Sequence, residues 1–448
     1  MEARQPVDQA GFRARFSCED HLLTTSKIIE QFNEHNRKLW VCAIDFQKAF
    51  DTVEHDHLFA ALRAQGIEET YVSVLQRLYS GQAGIIVTEL ESKEFNIGRG
   101  TKQGDPLSPI LFSAVLQHAL ADTISHWIKR KKGIKIGPLE EQRLTNLRFA
   151  DDILLFAISK ADIRKMLTEL QEAASTVGLQ LHMGKTKIMT NTHQNDAHVQ
   201  IGDDKVEILP PDGCTAYLGR NLSLLNSHDV ELEHRLKTAW SKFMCHKHIL
   251  CNKAYPLHQR LKVFDSTVTN TALYGSGVWA MTEERRIKLK TTQRRMLRWM
   301  LGSGRRRVQE TPGSDESDGE IAEPDDGKDQ AAENDKIEDW VSWIKRTTQM
   351  AETHMQRARV EDWIAGQRRR KWRLAGRAVA ATDNRWTQKV LNWQIDVSCR
   401  RRGRPPTRWE DDVAAFVATE CNVPKSDWKS IAADSQRWHL LEQAFVQY

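Results

Sequence analysis

Apolar positions fall into two kinds of run. Leu39-Trp-Val-Cys-Ala-Ile44 is short and continuously apolar, and so are the two arms of Leu147-Arg-Phe149-Ala150-Asp151-Asp152-Ile-Leu-Leu-Phe156. Runs of this form predict strands buried on both faces, with Asp45 ending the first and an Asp pair at the bend of a hairpin. Other stretches repeat apolar residues every three or four positions and predict helices: Asp20 to Phe32, His57 to Gln65 stopped by Gly66, Tyr71 to Tyr79, and Lys160 to Val177 closed by Gly178. Ile110 to Ile128 reads as one long apolar helix with Pro109 near its first turn. Before it, Gly100-Thr-Lys-Gln-Gly-Asp-Pro-Leu-Ser-Pro109 is a loop, preceded by a strand at Ile85 to Thr88. Residues 179–189 form a loop entering a strand, and Tyr217-Leu-Gly219 closes this region. From Ser227 to Leu301 the pattern is helical and basic. The first twenty residues are polar and irregular, and no internal repeat is evident.

Length and charge divide this picture further. A chain of 448 residues predicts two or three domains. The net charge of +5 says little, but its distribution says more. Glu310 to Asp339 holds 13 acids against two lysines, with almost nothing apolar, and predicts a disordered acidic linker. Val341 to Tyr448 carries 20 Lys and Arg against 12 acids, and nine of the 14 Trp lie from Trp340 onward. Seven Cys with no CxxC pair indicate neither a disulfide framework nor a zinc knuckle, so reduced thiols in an intracellular protein are expected. No apolar run is long enough to span a bilayer, and no membrane partner is expected.

The acids carry the candidate chemistry. Paired Asp at a bend is also ordinary turn composition, and alone the two readings weigh evenly. Asp45, at the end of another buried strand, shifts the balance. Neighbouring strands of one sheet would bring Asp45, Asp151 and Asp152 together, and three carboxylates can hold two Mg²⁺ ions about 3.5–4 Å apart for in-line displacement at phosphorus. Mn²⁺ would serve in their place.

At these residues the chain resembles the reverse transcriptases of non-LTR (LINE-type) retrotransposons. Asp45-Phe-Gln-Lys-Ala-Phe-Asp51 is similar to the first catalytic motif, Gly100 to Pro109 to the second, and Phe149-Ala-Asp-Asp152 to the metal-binding motif. Lys185-Thr-Lys187 and Tyr217-Leu-Gly219 resemble the two that follow, and Gln9-Ala-Gly-Phe-Arg13 the segment before the first. The resemblance implies that Asp45, Asp151 and Asp152 bind the metals. Phe46 and Phe50 would belong to the nucleotide site, with Phe50 crowding a 2′-hydroxyl. Gln103 and Gly104 would line the nucleotide and template site, Lys185 would stand near the pyrophosphate as general acid, and Tyr217, Leu218 and Gly219 would support the primer end. A core aromatic at position 50, an exposed lysine at 185 and a plain strand and turn at 217–219 are the competing readings. His182 stands where the family usually has Asn. The basic fingers motif, an endonuclease domain and a Cys/His knuckle are not found, so a 5′-truncated copy or a partial gene model is expected.

The implied fold is α+β: a right-hand polymerase palm, an antiparallel sheet with helices, with partial fingers, a helical thumb and a separate basic helical C-terminal region. Boundaries are expected at 1–221 for fingers and palm, 222–304 for the thumb, 305–339 for the linker and 340–448 for the basic region. In the last, Arg385-Trp386, Trp393 and Arg400-Arg401-Arg402-Gly-Arg404-Pro-Pro-Thr-Arg408-Trp409 resemble the tail of some non-LTR elements. Arg with interleaved Trp suits phosphate contacts and base stacking; the competing reading is a solvated basic face over a small Trp core. Arg305-Arg-Arg307 and Arg368-Arg-Arg-Lys371 suggest import into the nucleus. The expected function is RNA-directed DNA synthesis, adding dNTPs to a primer 3′-hydroxyl on nicked target DNA with the element's RNA as template. The alternatives are an inactive remnant that only binds nucleic acid and, more weakly, an intron maturase.

Overall fold

The computed structural model describes residues 4–88, 92–102, 104–308, 336–395, 400, 403 and 406–448. Gln103, Arg401, Arg402, Arg404 and most of the expected acidic linker lie outside the described residues. The chain forms two compact units. One comprises 1–234, 275–282 and 367–448, and the other 235–274 and 283–366.

The first unit opens with helix α1 (Cys18–Glu34), strand β1 (Trp40–Ile44), and helices α2 (Ala49–Thr52), α3 (His55–Ala64) and α4 (Glu69–Tyr79). A hairpin of β2 (Ala83–Val87) and β3 (Ser92–Asn96) leads to the long helix α5 (Ser108–Lys129). The short pair β4 (Ile134–Lys135) and β5 (Arg143–Leu144) precedes β6 (Asn146–Phe149), β7 (Asp152–Ala157) and helix α6 (Lys160–Ser175). Strands β8 (Lys187–Thr190), β9 (His198–Ile201) and β10 (Asp204–Ile208) follow, then the hairpin β11 (Thr215–Tyr217) and β12 (Arg220–Leu222).

Six strands make the main sheet in the order β6-β7-β1-β8-β10-β9, antiparallel except for the β8–β10 pair. β1 lies inside it with all five residues buried. Trp40, Cys42 and Ile44 face a core built with α3, α5 and α6, while Val41 and Ala43 face a second core on the other side. Burial on both faces is why this strand is continuously apolar rather than alternating.

The second face sets the main difference from the expected domains. Its cover is α1 together with the C-terminal residues: Trp372, Trp386, Trp409, Trp428 and Trp438 share one core with Val41, Leu154 and Phe156. Residues 367–448 therefore fold with the sheet and not as a separate basic region. A sheet apolar on both faces needs two layers, and for the second the first 234 residues supply α1 and the short β4–β5 and β11–β12 pairs.

Helix α7 (Ser227–Cys245) begins in the first unit and enters the second, which holds α8 (Lys247–Leu250), α9 (Leu257–Phe264), a wide helical turn at Asp265–Thr269, α10 (Asn270–Ala272) and α11 (Glu283–Leu301). A two-residue pair, β13 (Arg307–Val308) and β14 (Lys336–Ile337), stands before α12 (Trp340–Ala358). Helix α13 (Trp363–Ala380) leads back to the first unit, where α14 (Trp386–Asn392), α15 (Asp411–Cys421), α16 (Trp428–Ala433) and α17 (Ser435–Gln447) complete the chain. Within the second unit Phe264 lies parallel to Trp363, whose indole N–H donates to Thr269 Oγ1 at 3.0 Å. Residues 340–366 thus belong with the helices of the expected thumb. Among the described residues, no helix is long and apolar enough to cross a membrane.

Candidate active site

Asp45 follows the last residue of β1. Across the ladder to β7, Ile44 pairs with Ile153, and continuing that register by one residue sets Asp45 opposite Asp152. β6 and β7 form a tight hairpin whose last pair is Phe149 and Asp152, so Ala150 and Asp151 make the turn. The three acids therefore share one end of the sheet by topology alone.

Their electrostatics record the crowding. Burial raises the Asp151 carboxyl, and the charge of Asp45 raises it further, against a backbone hydrogen bond that lowers it. Asp152 is pushed up to about 6, first by burial and then by Asp151 and Asp45. Its side chain still reaches solvent at the sheet end. Like charges raise one another in this way until a cation lies between them.

On the other side of β1, the segment before β8 is tied to Asp45. The His182 N–H donates to the Asp45 carbonyl at 2.7 Å, the Lys185 N–H to the His182 carbonyl at 3.0 Å, and the Thr186 N–H to the same carbonyl at 2.9 Å. This tight turn leaves the Lys185 side chain exposed, with Nζ 3.5 Å from Asp45 Oδ2. That oxygen is buried and accepts no hydrogen bond. His182 makes these contacts through backbone atoms.

The loop expected to line the nucleotide site docks on α2. The Gly100 N–H donates to the Val53 carbonyl at 2.7 Å, and the Thr101 N–H to the Phe50 carbonyl at 2.6 Å. Gly100 has φ +92°, and a Cβ there would lie 2.8 Å from the Asp51 carbonyl oxygen, so only glycine fits. Gly104, at φ +86°, is exposed with open space around it. Phe50 is half-buried and packs on Phe112 of α5 with ring centroids 4.8 Å apart, while Phe46 is buried in the core. Tyr217, Leu218 and Gly219 form the β11–β12 turn, with Leu218 at φ +48° and Gly219 at φ +70°. Tyr217 is buried, its hydroxyl 3.4 Å from His21 Nδ1, and burial and then the charge of Asp152 raise its pKa. That coupling brings the turn within electrostatic reach of the acids.

Of the C-terminal arginines, Arg400 and Arg408 pair with α1. Arg408 donates to both carboxylate oxygens of Glu34 on α1, and Arg400 lies 2.6 Å from the same side chain. Trp386 and Trp409 are buried and unavailable for base stacking. Lys371, the end of the second basic run, is fully buried against Asp412. Sequence reading missed Gln9, whose side chain reaches the Ala150 turn, although the Gln9 to Arg13 resemblance marked the segment.

A family described as reverse transcriptase (RNA-dependent DNA polymerase) matches residues 3–222. Over 179 residues the chain is 32% identical to the Pol polyprotein of the retrotransposable element R2DM of Drosophila melanogaster, covering 40% of this chain and 16% of that protein. It is 31% identical over 146 residues to the Pol polyprotein of an R2 element of Popillia japonica, covering 32% of this chain and 23% of that one. The chain belongs to the non-LTR retrotransposon reverse transcriptases. This reverse transcriptase is also 28% identical over 314 residues to a transposon-derived protein of Caenorhabditis elegans, spanning 66% of this chain and 94% of the relative. A solved telomerase of Candida albicans overlays at TM-score 0.40 with 11% identity, covering 64% of this chain and 52% of its own.

Reverse transcriptases depend on divalent metal. Among the described residues, no group of three or more His, Cys, Asp or Glu side chains is drawn together closely enough to hold an ion as it stands. The donor set nonetheless suits one: three carboxylates at one sheet end, two of them raised first by burial and then by neighbouring carboxylates, and an Asp45 oxygen with no hydrogen bond.

Proposed function

We propose that this reverse transcriptase extends a DNA primer on an RNA template with deoxynucleotides, in target-primed synthesis, using two Mg²⁺ ions held by Asp45, Asp151 and Asp152. The observation that carries the reading is the convergence of these acids with Lys185 at one end of a sheet. Bound there, the ions would lower the pKa of the attacking 3′-hydroxyl and steady the departing pyrophosphate. Asp45 and Asp152, facing each other across β1 and β7, would hold them from two strands. Lys185, on its tight turn, would be released from Asp45 to give a proton to the leaving group. Phe50, propped by Phe112, would exclude a 2′-hydroxyl. The Gln103-Gly104 loop would cradle the nucleotide, and the Tyr217 to Gly219 turn the primer end. Contact with nucleic acid by Arg400, Arg401, Arg402, Arg404 and Arg408 is part of the same proposal, with Arg400 and Arg408 changing partner from Glu34 to phosphate.

The test is primer extension on an RNA template with Mg²⁺, comparing the chain with an Asp151→Ala, Asp152→Ala form. Signal from the parent alone supports the reading. Equal signals overturn it and leave nucleic-acid binding as the function. Lys185→Leu is expected to slow extension by about a hundredfold, the range of general-acid contributions, with primer affinity unchanged in a filter-binding assay.

A further inference from the structure

We propose that Gln9 is a positioning residue for the acid-bearing turn, through a clamp of its side-chain amide on Ala150. The inference rests on the reading that Asp151 and Asp152 hold a divalent ion.

The turn is under strain. Ala150 has φ +56°, a left-handed conformation at the first position of a two-residue hairpin turn, where glycine is the usual choice. Its side chain and backbone are buried. A buried N–H at this bend needs an acceptor. Gln9 Oε1 supplies one at 3.2 Å, and also accepts from the Gly11 N–H at 3.0 Å. The other end of the amide donates to Ser113 Oγ on α5 at 3.0 Å. Gln9 is 1% exposed, so water cannot replace any of these bonds.

The backbone around Gln9 is laid along the same hairpin. The Arg148 N–H donates to the Asp8 carbonyl at 2.7 Å, and the Ala10 N–H to the Arg148 carbonyl at 2.9 Å, so residues 8–10 extend the sheet at the β6 edge. Gly11 then presses on the turn: a Cβ there would lie 2.5 Å from the Ala150 nitrogen and 2.9 Å from the Phe149 carbonyl carbon. Edge strand, glycine contact and amide all converge on the residue before Asp151. Of the three, the amide alone is a side chain that a substitution can remove, and it also holds the Gly11 N–H.

Gln9→Met keeps length and volume and removes all three hydrogen bonds. The measurements are Mn²⁺ binding by loss of the free-ion electron paramagnetic resonance signal, primer extension, and thermal melting. The expected result is Mn²⁺ affinity weakened by about tenfold or more and extension slowed to a similar or greater extent, the range seen when partners of metal ligands are lost. Adding Ala150→Gly, which relaxes the left-handed strain, is expected to restore part of the affinity. A variant that melts earlier but binds Mn²⁺ and extends primers as the parent does, per folded molecule, overturns the proposal. Should Gln9→Met fail to fold, Ser113→Ala frees the far end of the amide alone; weakened Mn²⁺ binding supports the clamp and unchanged binding overturns it. A parent that binds Mn²⁺ without extending primers overturns the polymerase reading only, and the clamp is then judged on the affinity ratio. A parent with no saturable Mn²⁺ binding overturns both.

Discussion

Asp152→Asn is expected to slow primer extension by about a thousandfold, the scale on which removing one group that stabilises transition-state charge is felt, and to melt at a higher temperature than the parent at pH 7 with chelator present. The two effects have one cause. Asp152 is raised to about 6 by burial, then by Asp151, then by Asp45. A carboxyl raised in the folded state contributes stability that is fully present below its unfolded value, near 3.8, and lost as pH rises through about 6. At pH 7 the parent has lost that contribution, because three like charges are held at one sheet end. Asparagine carries no charge and loses nothing. The melting difference between variant and parent therefore shrinks as pH is lowered from 7 toward 4. Adding a divalent ion at pH 7 raises the parent's melting temperature more than the variant's, because the ion relieves repulsion that the variant lacks. Calorimetry with and without chelator at the two pH values, beside extension assays, measures all three. Identical melting at pH 7 without metal would mean that the carboxylates do not repel one another in solution.

A site that sacrifices stability for charge density is also one that a sequence advertises well. β1 and the β6–β7 hairpin were legible because strands buried on both faces must be apolar at successive positions, which leaves Asp45, Asp151 and Asp152 conspicuous at their ends. Helices α3, α5 and α6 were legible from spacing and from the glycines and proline at their ends. The β9–β10 hairpin went unread although its signal was present: His198-Val-Gln-Ile201 and Asp204-Lys-Val-Glu-Ile208 alternate about Gly202, and Val199, Ile201, Val206 and Ile208 are the buried ones. Gln9 could not have been assigned from its surroundings. It lies in a polar, irregular stretch, and its role depends on an edge contact with a hairpin about 140 residues away. The tryptophans after residue 340 were ambiguous for a similar reason. Their spacing suits either a stacking platform or a helical core, and only the uncovered face of the sheet decides between them.

That uncovered face leads to the second large effect. Trp372→Ala is expected to cost about 3–5 kcal/mol, as for other fully buried large aromatics, and ending the chain at residue 366 is expected to abolish the cooperative melt of the sheet. Trp372 is fully buried and stacks on Trp438, with ring centroids 3.6 Å apart and planes within 4°. Each indole N–H donates to the other's backbone carbonyl, at 2.9 and 3.0 Å. Gly376 permits this approach, since a Cβ there would lie 2.5 Å from the Trp438 ring. Truncation removes more than this pair. The Thr387 hydroxyl donates to the Asp20 carbonyl of α1 at 3.0 Å, and the Trp386 indole N–H donates to Asp8, whose carbonyl holds β6. Lys27, 2% exposed on α1, would lose Glu410, and Glu34 would lose both of its arginines. Lys27 would keep Glu30, so the larger cost lies in the core that truncation strips from the sheet, where each fully buried aromatic removed is worth about 3–5 kcal/mol. Several such losses together exceed the roughly 5–15 kcal/mol that holds an ordinary domain folded. Circular dichroism and calorimetry of the truncated chain decide the matter. A cooperative melt with the strand signal intact, and primer extension at the parent rate, would show that residues 367–448 are a detachable module after all; loss of both would make the basic C-terminal segment the second wall of the catalytic sheet.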